Sequence, residues 1–358
     1  MKLLVTGGCG FIGSAVCRYA IYDLGWSVIN VDCMTYAASE GSTAALQSSG
    51  KYFHECVDIV DGDAVNAVFS RYEPQAVIHL AAESHVDRSI DGPLAFVRTN
   101  VLGTASLLEA TRSFLAQKDP VIRDLFRFLH VSTDEVFGSL EMDSSRFSEN
   151  SPYDPSSPYS ATKAASDHIV RAHGRTYDLP VMLTNCSNNY GPFHFPEKLI
   201  PLTIIKALRG EKIPVYGTGA NVRDWLFVKD HAAALCLVLQ RGKIGESYNI
   251  GGDEEHSNLD VVRAICDILD KKSPRAGSSR RDLIQFVADR PGHDLRYAID
   301  ASKVKQEIGW QPTVSFIDGL GQTIDWFLAN EEWWQTILSR GNYDGRRLGT
   351  GDKAGLVQ

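Results

Sequence analysis

The chain has 358 residues, of which 44% are hydrophobic and 22% charged, the balance of a globular protein with room for one large domain or two lobes. Its net charge of −8, with no block of like charge, argues against nucleic acid or an anionic membrane as partner, since both select a basic face. The seven cysteines are odd in number and form no C-x-x-C pair, so they read as reduced, mostly buried thiols of a cytoplasmic protein.

Met1-Lys2 leads straight into the apolar run 3–6, with no signal-peptide layout, and no later run approaches the roughly 18 residues of a membrane span. The run ends in Gly7, Gly10 and Gly13, spaced G-x-x-G-x-x-G, and 14–24 then carries apolar residues at helical period. A strand, glycine turn and helix in that order form a dinucleotide fingerprint: glycine permits the tight turn, the approach of a pyrophosphate and the packing of helix on strand. Free N–H groups and a partial positive charge at the helix start complete the phosphate site. The next strand, Ser27–Val31, ends at Asp32, nineteen residues after Gly13, where an acid would bind the adenosine ribose hydroxyls; a strand-end turn is the alternative. Residues 19–50 hold no Lys or Arg, so a 2′-phosphate would face Asp32 without a cation, and NAD is favoured over NADP.

Further strands are expected at 52–57, ending at Asp58-Ile59, and at 76–81, ending in the small pair Ala81-Ala82 where a cofactor fits close. Between them 61–71 reads as a helix capped by Asp61. Residues 83–89 are a polar loop in which His85 is either a sugar contact or an ordinary surface residue, and 93–117 is one long helical stretch containing Thr99. A fifth apolar strand at 126–131 and a sixth at 181–184 complete a doubly wound α/β pattern with a parallel, Rossmann-type sheet.

The fifth strand delivers Ser132-Thr133-Asp134-Glu135 to the sheet end where such folds bind ligands. Tyr159 and Lys163 follow, four apart and so on one helix face. A phenol titrates near 10 and serves as a base at neutral pH only beside a cation. Tyr159 beside Lys163 and an oxidised nicotinamide would remove a hydroxyl proton while hydride leaves the same carbon. Asp134 and Glu135 are neighbours, and adjacent strand residues point to opposite faces, so both reach one substrate only if the strand has ended. If so, one carboxyl can take a proton beside a new ketone while the other, kept protonated by its neighbour, delivers one to a leaving hydroxyl.

On Thr133-Asp134-Glu135, Tyr159-Ser160-Ala161-Thr162-Lys163 and the run Phe195-Pro196-Glu197-Lys198-Leu199-Ile200-Pro201, the chain resembles the dTDP-glucose 4,6-dehydratases, extended short-chain dehydrogenases/reductases, over nearly its whole length. In that family the tyrosine is the base at the C4 hydroxyl, and the threonine positions that oxygen. The aspartic acid protonates the C6 leaving group, and the glutamate takes the C5 proton. Hydride returns to C6, giving a 4-keto-6-deoxy sugar with no net use of NAD. The resemblance implies a catalytic set of Thr133, Asp134, Glu135, Tyr159 and Lys163. For NAD it implies Gly7, Gly10, Phe11, Ile12, Gly13, Asp32, Thr35, Asp58, Ile59, Leu80, Ala82, Thr99 and Asn189, with Tyr159 and Lys163. For the sugar nucleotide it implies Ser84, Thr133, Asn188, Lys198, Leu199, Pro214, Tyr216, Asn258 and His293, with Arg223 and Arg290 as guanidinium forks on the diphosphate. Asn258 is equally the N-cap of a helix over 259–269, and either arginine equally a structural ion-pair partner. No metal is expected.

The expected layout is a Rossmann domain over 1–191 carrying the catalytic residues, a smaller sugar-nucleotide lobe over 192–340 which the chain can enter and leave, and a tail over 341–358. The resemblance also implies a homodimer through 93–117 and 159–177 and a place in deoxysugar biosynthesis such as that of dTDP-rhamnose. Departures from the family pattern are Cys9, Ala38, Phe137 and Leu295, the last leaving Arg296 as the single basic residue before Tyr297. A UDP- or CDP-glucose dehydratase, a 4-epimerase and a non-catalytic NAD-binding regulator remain alternatives. The Asp134-Glu135 pair speaks against simple epimerisation.

Overall fold

The computed structural model describes residues 1–275, 277–289 and 292–339. The apolar runs become β1 (Lys2–Thr6), β2 (Ser27–Val31), β3 (Tyr52–Glu55), β4 (Ala76–His79), β5 (Arg127–Thr133) and β6 (Val181–Cys186). The chain then leaves for β7 (Asn188–Tyr190), β8 (Ile213–Tyr216) and β9 (Val222–Phe227), and returns with β10 (Ser247–Ile250). One parallel sheet results, ordered β10-β6-β5-β4-β1-β2-β3. Its near-continuous apolar strands are what a sheet covered on both faces requires.

The two-residue period of a strand sorts those side chains into two cores. Leu3, Val5, Ile78, Leu129 and Met182 face one way, and Leu4, Ile29, Val77, Phe128 and Val181 the other. The helices in chain order are α1 (Phe11–Arg18), α2 (Gly62–Tyr72), α3 (Val86–Asp91), α4 (Pro93–Phe96), α5 (Thr104–Ala116), α6 (Pro120–Leu125), α7 (Pro158–Tyr177), α8 (Leu199–Arg209) and α9 (Val228–Arg241). Helices α1 and α9 close the first core, and α2, α5 and α7 the second. Asp61 caps α2 as expected, accepting the Ala64 N–H at 3.0 Å. Helix α7 starts on a capping box between Ser157 and Ser160, with Pro158 in its first turn.

Two expectations change in detail. The stretch 93–117 is not one regular helix, because a π-helical segment, Val97–Gly103, separates α4 from α5. Asn100 in that segment exchanges hydrogen bonds with the Glu83 backbone at 2.8 and 3.0 Å, holding the wide turn against the site. His85 is buried rather than a surface residue, and caps α3 by accepting the Arg88 N–H.

The smaller lobe contains the sheet β11-β9-β7, where β11 is Glu255–Ser257, and a pair of β8 with β12 (Ile284–Val287). Around these lie α8, α10 (Asn258–Lys272), α11 (Phe316–Ala329) and α12 (Glu331–Ser339). Trp334 is buried in this core, and Trp326 and Trp333 pack against it. A cut at residue 191 does not separate the lobes. Asn188–Tyr190 is a strand of the small lobe, because it pairs with β9. Helix α9 and β10 return to the large one, and so do Val304, Ile308 and Trp310. The expected tail 341–358 lies outside the described residues.

Candidate active site

A cavity of about 340 Å³ opens at the carboxyl ends of the large sheet's strands. The glycine turn forms one wall. Gly7 has φ +74°, and a Cβ there would stand 2.8 Å from the Ala81 nitrogen. A Cβ on Gly13 would overlap the Gly7 carbonyl oxygen. This is a cradle that only glycine leaves open, and it fits a pyrophosphate against bare backbone. At the end of β2 the Asp32 carboxylate accepts the N–H groups of Cys9 and Met34 at 2.8 and 2.9 Å. Burial raises its pKa, and those two donors oppose the rise. Among the described wall residues the cations are Lys163 and Lys198, neither on the β2–β3 side. The residues present therefore fit NAD, and a 2′-phosphate would meet Asp32 without a counter-ion.

All the residues expected to hold NAD line this cavity: Gly7, Gly10, Phe11, Ile12, Gly13, Asp32, Thr35, Asp58, Ile59, Leu80, Ala82, Thr99, Tyr159, Lys163 and Asn189. Thr133, Asp134 and Glu135 join them. The strand ends at Thr133, whose hydroxyl accepts the Glu135 N–H at 3.3 Å, and a short 3-10 turn, Asp134–Phe137, takes over. Gly138, at φ +88°, closes the turn under the Asp154 carbonyl. Backbone geometry thus lets both adjacent carboxyls meet one space.

Their surroundings differ. Asp134 is 1% exposed, and its Oδ2 has no hydrogen-bond partner among the described residues. Burial pushes its pKa well above the usual carboxyl range, Glu135 and Asp224 add to the rise, and Arg223 and the Thr133 hydroxyl oppose it. Its surroundings therefore favour the neutral acid over the carboxylate. Glu135 is only partly buried. The Tyr159 phenol is pushed up by burial and by Glu135, against a hydrogen bond with Thr133. Lys163 Nζ donates to the Val131 carbonyl at 2.8 Å. Burial lowers its pKa, and Asp167 and Cys186 raise it.

Of the expected substrate contacts, Ser84, Asn188, Lys198 and Leu199 line the cavity, and Lys198 Nζ donates to the Ser84 carbonyl at 3.1 Å. Five others do not. Pro214 and Tyr216 sit on β8, where the Tyr216 hydroxyl reaches Asp87 at 3.3 Å and its ring stands edge-on to His293. The Arg223 guanidinium lies 4.1 Å from the Tyr297 ring centre and donates to the Val222 and Asp294 carbonyls at 2.7 and 2.9 Å, so much of its fork is used internally. Asn258 opens α10, but the cap is Ser257, whose side chain accepts the Asp260 N–H. Arg290 lies outside the described residues.

The sequence reading missed several groups. His194 stacks on Phe11 with centroids 4.2 Å apart and forms part of the wall. Glu197 pairs with Arg88 at 2.9 Å and accepts from the Tyr36 hydroxyl at 3.1 Å, joining β2's following loop, α3 and the second lobe across the cavity. An acid inside the apolar segment 193–200 was the available signal. His231 is buried and neutral, its pKa lowered to about 3 by burial, and its Nδ1 bonds the Asn189 side-chain oxygen at 2.9 Å. Nothing in its sequence neighbourhood marks that role.

The chain belongs to the GDP-mannose 4,6 dehydratase family, whose model matches residues 4–323. Within it, the chain is 54% identical over 353 residues to a dTDP-glucose 4,6-dehydratase of Neisseria meningitidis, covering 98% of this chain and 99% of that one. It is 52% identical to dTDP-glucose 4,6-dehydratase 1 of Escherichia coli, over 97% of this chain and 100% of the other. Among solved structures, the dTDP-glucose 4,6-dehydratase DesIV of Streptomyces venezuelae, with NAD and TYD bound, matches with a TM-score of 0.86 and 42% identity, covering 94% of this chain and 100% of that one. The family and the fold expected from the sequence are borne out.

Proposed function

We propose that the chain is a hydro-lyase that converts dTDP-glucose to dTDP-4-keto-6-deoxyglucose with bound NAD. The observation that carries this reading is the convergence of Thr133, Asp134, Glu135, Tyr159 and Lys163 on one cavity, with Asp134 buried where the neutral acid is favoured. The relatives' shared activity supports it. In this reading Gly7, Gly10 and Gly13 hold the pyrophosphate of NAD and Asp32 its ribose. When bound, NAD serves as oxidant at the sugar's C4 and reductant at C6. Tyr159 takes the C4 hydroxyl proton, steadied by Thr133, and Lys163 supplies the positive charge a phenolate needs. The new ketone acidifies the C5 proton, which Glu135 removes. Asp134 gives its proton to the C6 hydroxyl, which leaves as water. Ser84, Asn188, Lys198 and Leu199 hold the sugar nucleotide.

The same proposal takes the chain to be a cytoplasmic homodimer that serves deoxysugar synthesis, dTDP-rhamnose included. Among the described residues no helix is long and apolar enough to cross a membrane. Leu94, Val97 and Leu102 are 80%, 46% and 52% exposed along the stretch expected to pair, which favours a dimer face there. Leu102→Glu is expected to give monomers in light scattering. The activity test is to incubate purified protein with dTDP-, UDP- and CDP-glucose and follow the alkali-induced absorbance of a 4-keto-6-deoxy product. Turnover of dTDP-glucose with no net loss of NAD is expected. No product from it, or preference for another nucleotide, would overturn the assignment.

A further inference from the structure

Asp167 lies one helical turn after Lys163 on α7, its side chain fully buried. It accepts from the Ser132 hydroxyl at 2.8 Å and the Tyr153 hydroxyl at 2.9 Å, and it meets His130 Nε2 at 3.1 Å. Asn185 Nδ2 stands 3.5 Å away. Burial lowers the His130 pKa to about 4, and its Nδ1 has no partner among the described residues, so the neutral ring points its N–H at Asp167. A buried carboxylate ringed by donors still needs a cation. The cations here are Lys163, four residues earlier, and Arg171, four later, whose guanidinium bonds the Tyr153 oxygen at 3.0 Å. Lys163, Asp167 and Arg171 thus alternate in charge along one side of α7.

The other groups around Lys163 carry no charge that could replace Asp167. His79 and His130, from β4 and β5, are neutral in their burial, and the Cys186 thiol on β6 and the Tyr159 phenol are pushed upward. Glu135, in the 3-10 turn beyond β5, acts electrostatically on Tyr159. Ser132, which holds Asp167, is flanked by Val131, whose carbonyl takes the Lys163 ammonium, and by Thr133.

We propose that Asp167 is a positioning residue for the oxidation step: held in place by the Ser132 and Tyr153 hydroxyls, it is the buried counter-ion of the Lys163 ammonium. This rests on the reading of Tyr159 and Lys163 as the oxidising pair. Asp167 is not among the residues lining the cavity, so it acts on rate and on pH dependence rather than on substrate affinity.

The test compares holoenzymes of wild type, Asp167→Asn, Asp167→Glu, Lys163→Met and the double variant Asp167→Asn/Lys163→Met. Asp167→Asn is expected to lower kcat at least about tenfold with KM for dTDP-glucose within about threefold, and to move the alkaline limb of kcat down by about one pH unit. Asp167→Glu keeps the charge, so its limb stays at the wild-type position even where kcat falls. On the Lys163→Met background the Asn change costs less than about twofold, because the group it acts through is gone. An unmoved limb in Asp167→Asn, or a full additional loss in the double variant, would overturn the proposal. Should Asp167→Asn fail to fold, a limb displaced in Asp167→Glu would do the same. Nitrogen NMR of labelled lysine reads the Lys163 titration without turnover. If wild type itself does not turn over dTDP-glucose, the functional reading fails, while a lowered Lys163 midpoint in Asp167→Asn still supports the counter-ion role and an unchanged one rejects it.

Discussion

Asp134→Asn separates a neutral buried acid from an ionised one. Replacing a buried, paired carboxylate usually costs several kcal/mol, because its donors lose a charge. Asp134 is 1% exposed, its Oδ2 has no partner among the described residues, and its pKa is raised well above 3.8, so an amide of the same shape replaces a group whose neutral form is favoured. The linkage has a definite sign. A folded-state pKa above the unfolded one gives stability that is full below the ordinary aspartate value and is lost as pH rises toward the folded value. The loss runs at up to about 1.4 kcal/mol per pH unit. Asparagine does not titrate. The stability of wild type relative to the variant therefore falls as pH rises above about 4, at up to that slope. Chemical denaturation at several pH values measures it. In turnover the variant loses its general acid, a factor of roughly 10² to 10⁴, or about 3–5 kcal/mol of barrier. Oxidation at C4 survives, so reduced nicotinamide accumulates on the enzyme while product stalls. Product formation within about tenfold of wild type, or a stability difference that widens in wild type's favour as pH rises, would refute the neutral-acid assignment.

Glu135→Gln should retain C4 oxidation but lose exchange of the C5 proton with deuterated solvent, with kcat down by about 10² to 10⁴; mass spectrometry of recovered substrate reports the exchange. Gly13→Ala drives a Cβ into the Gly7 carbonyl, so the purified protein should carry little NAD and lose about 1–3 kcal/mol of stability, read from cofactor content and denaturant midpoint. Ser157→Ala removes the acceptor of the Ser160 N–H at the start of α7 and should cost about 1 kcal/mol in the same denaturation assay.

Where constraints are local, the sequence was legible. Gly7, Gly13 and Asp32 act within one strand-turn-helix-strand unit, and the two-residue period of a strand puts Leu3 and Leu4 on opposite faces. The convergence of Asp134 and Glu135 was readable only as a condition, because the strand's end depends on the Thr133 hydroxyl and on Gly138 fitting under Asp154. Asp167 is visible as the residue four after Lys163, yet its meaning lies in Ser132 and Tyr153, separated from it by 35 and 14 residues. Arg223 was read from its charge. The carbonyls of Val222 and Asp294, which occupy its fork, leave no sequence signal. His85 misled because a polar loop suggests exposure, whereas its ring closes a helix start.

The interleaving of the lobes sets how this protein can be cut, swapped or unfolded. A fragment ending at residue 191 would lack α9, which seals one core, and β10, the edge strand beside β6. It would expose an apolar sheet face and an unpaired strand edge, both prompts to aggregation. Neither lobe can be exchanged with a relative's at a single splice point, so a change of sugar specificity must come by substitution within the whole chain. Because the large sheet is complete only after the small lobe's first strands have been made, the two should melt in one cooperative transition rather than as separate domains.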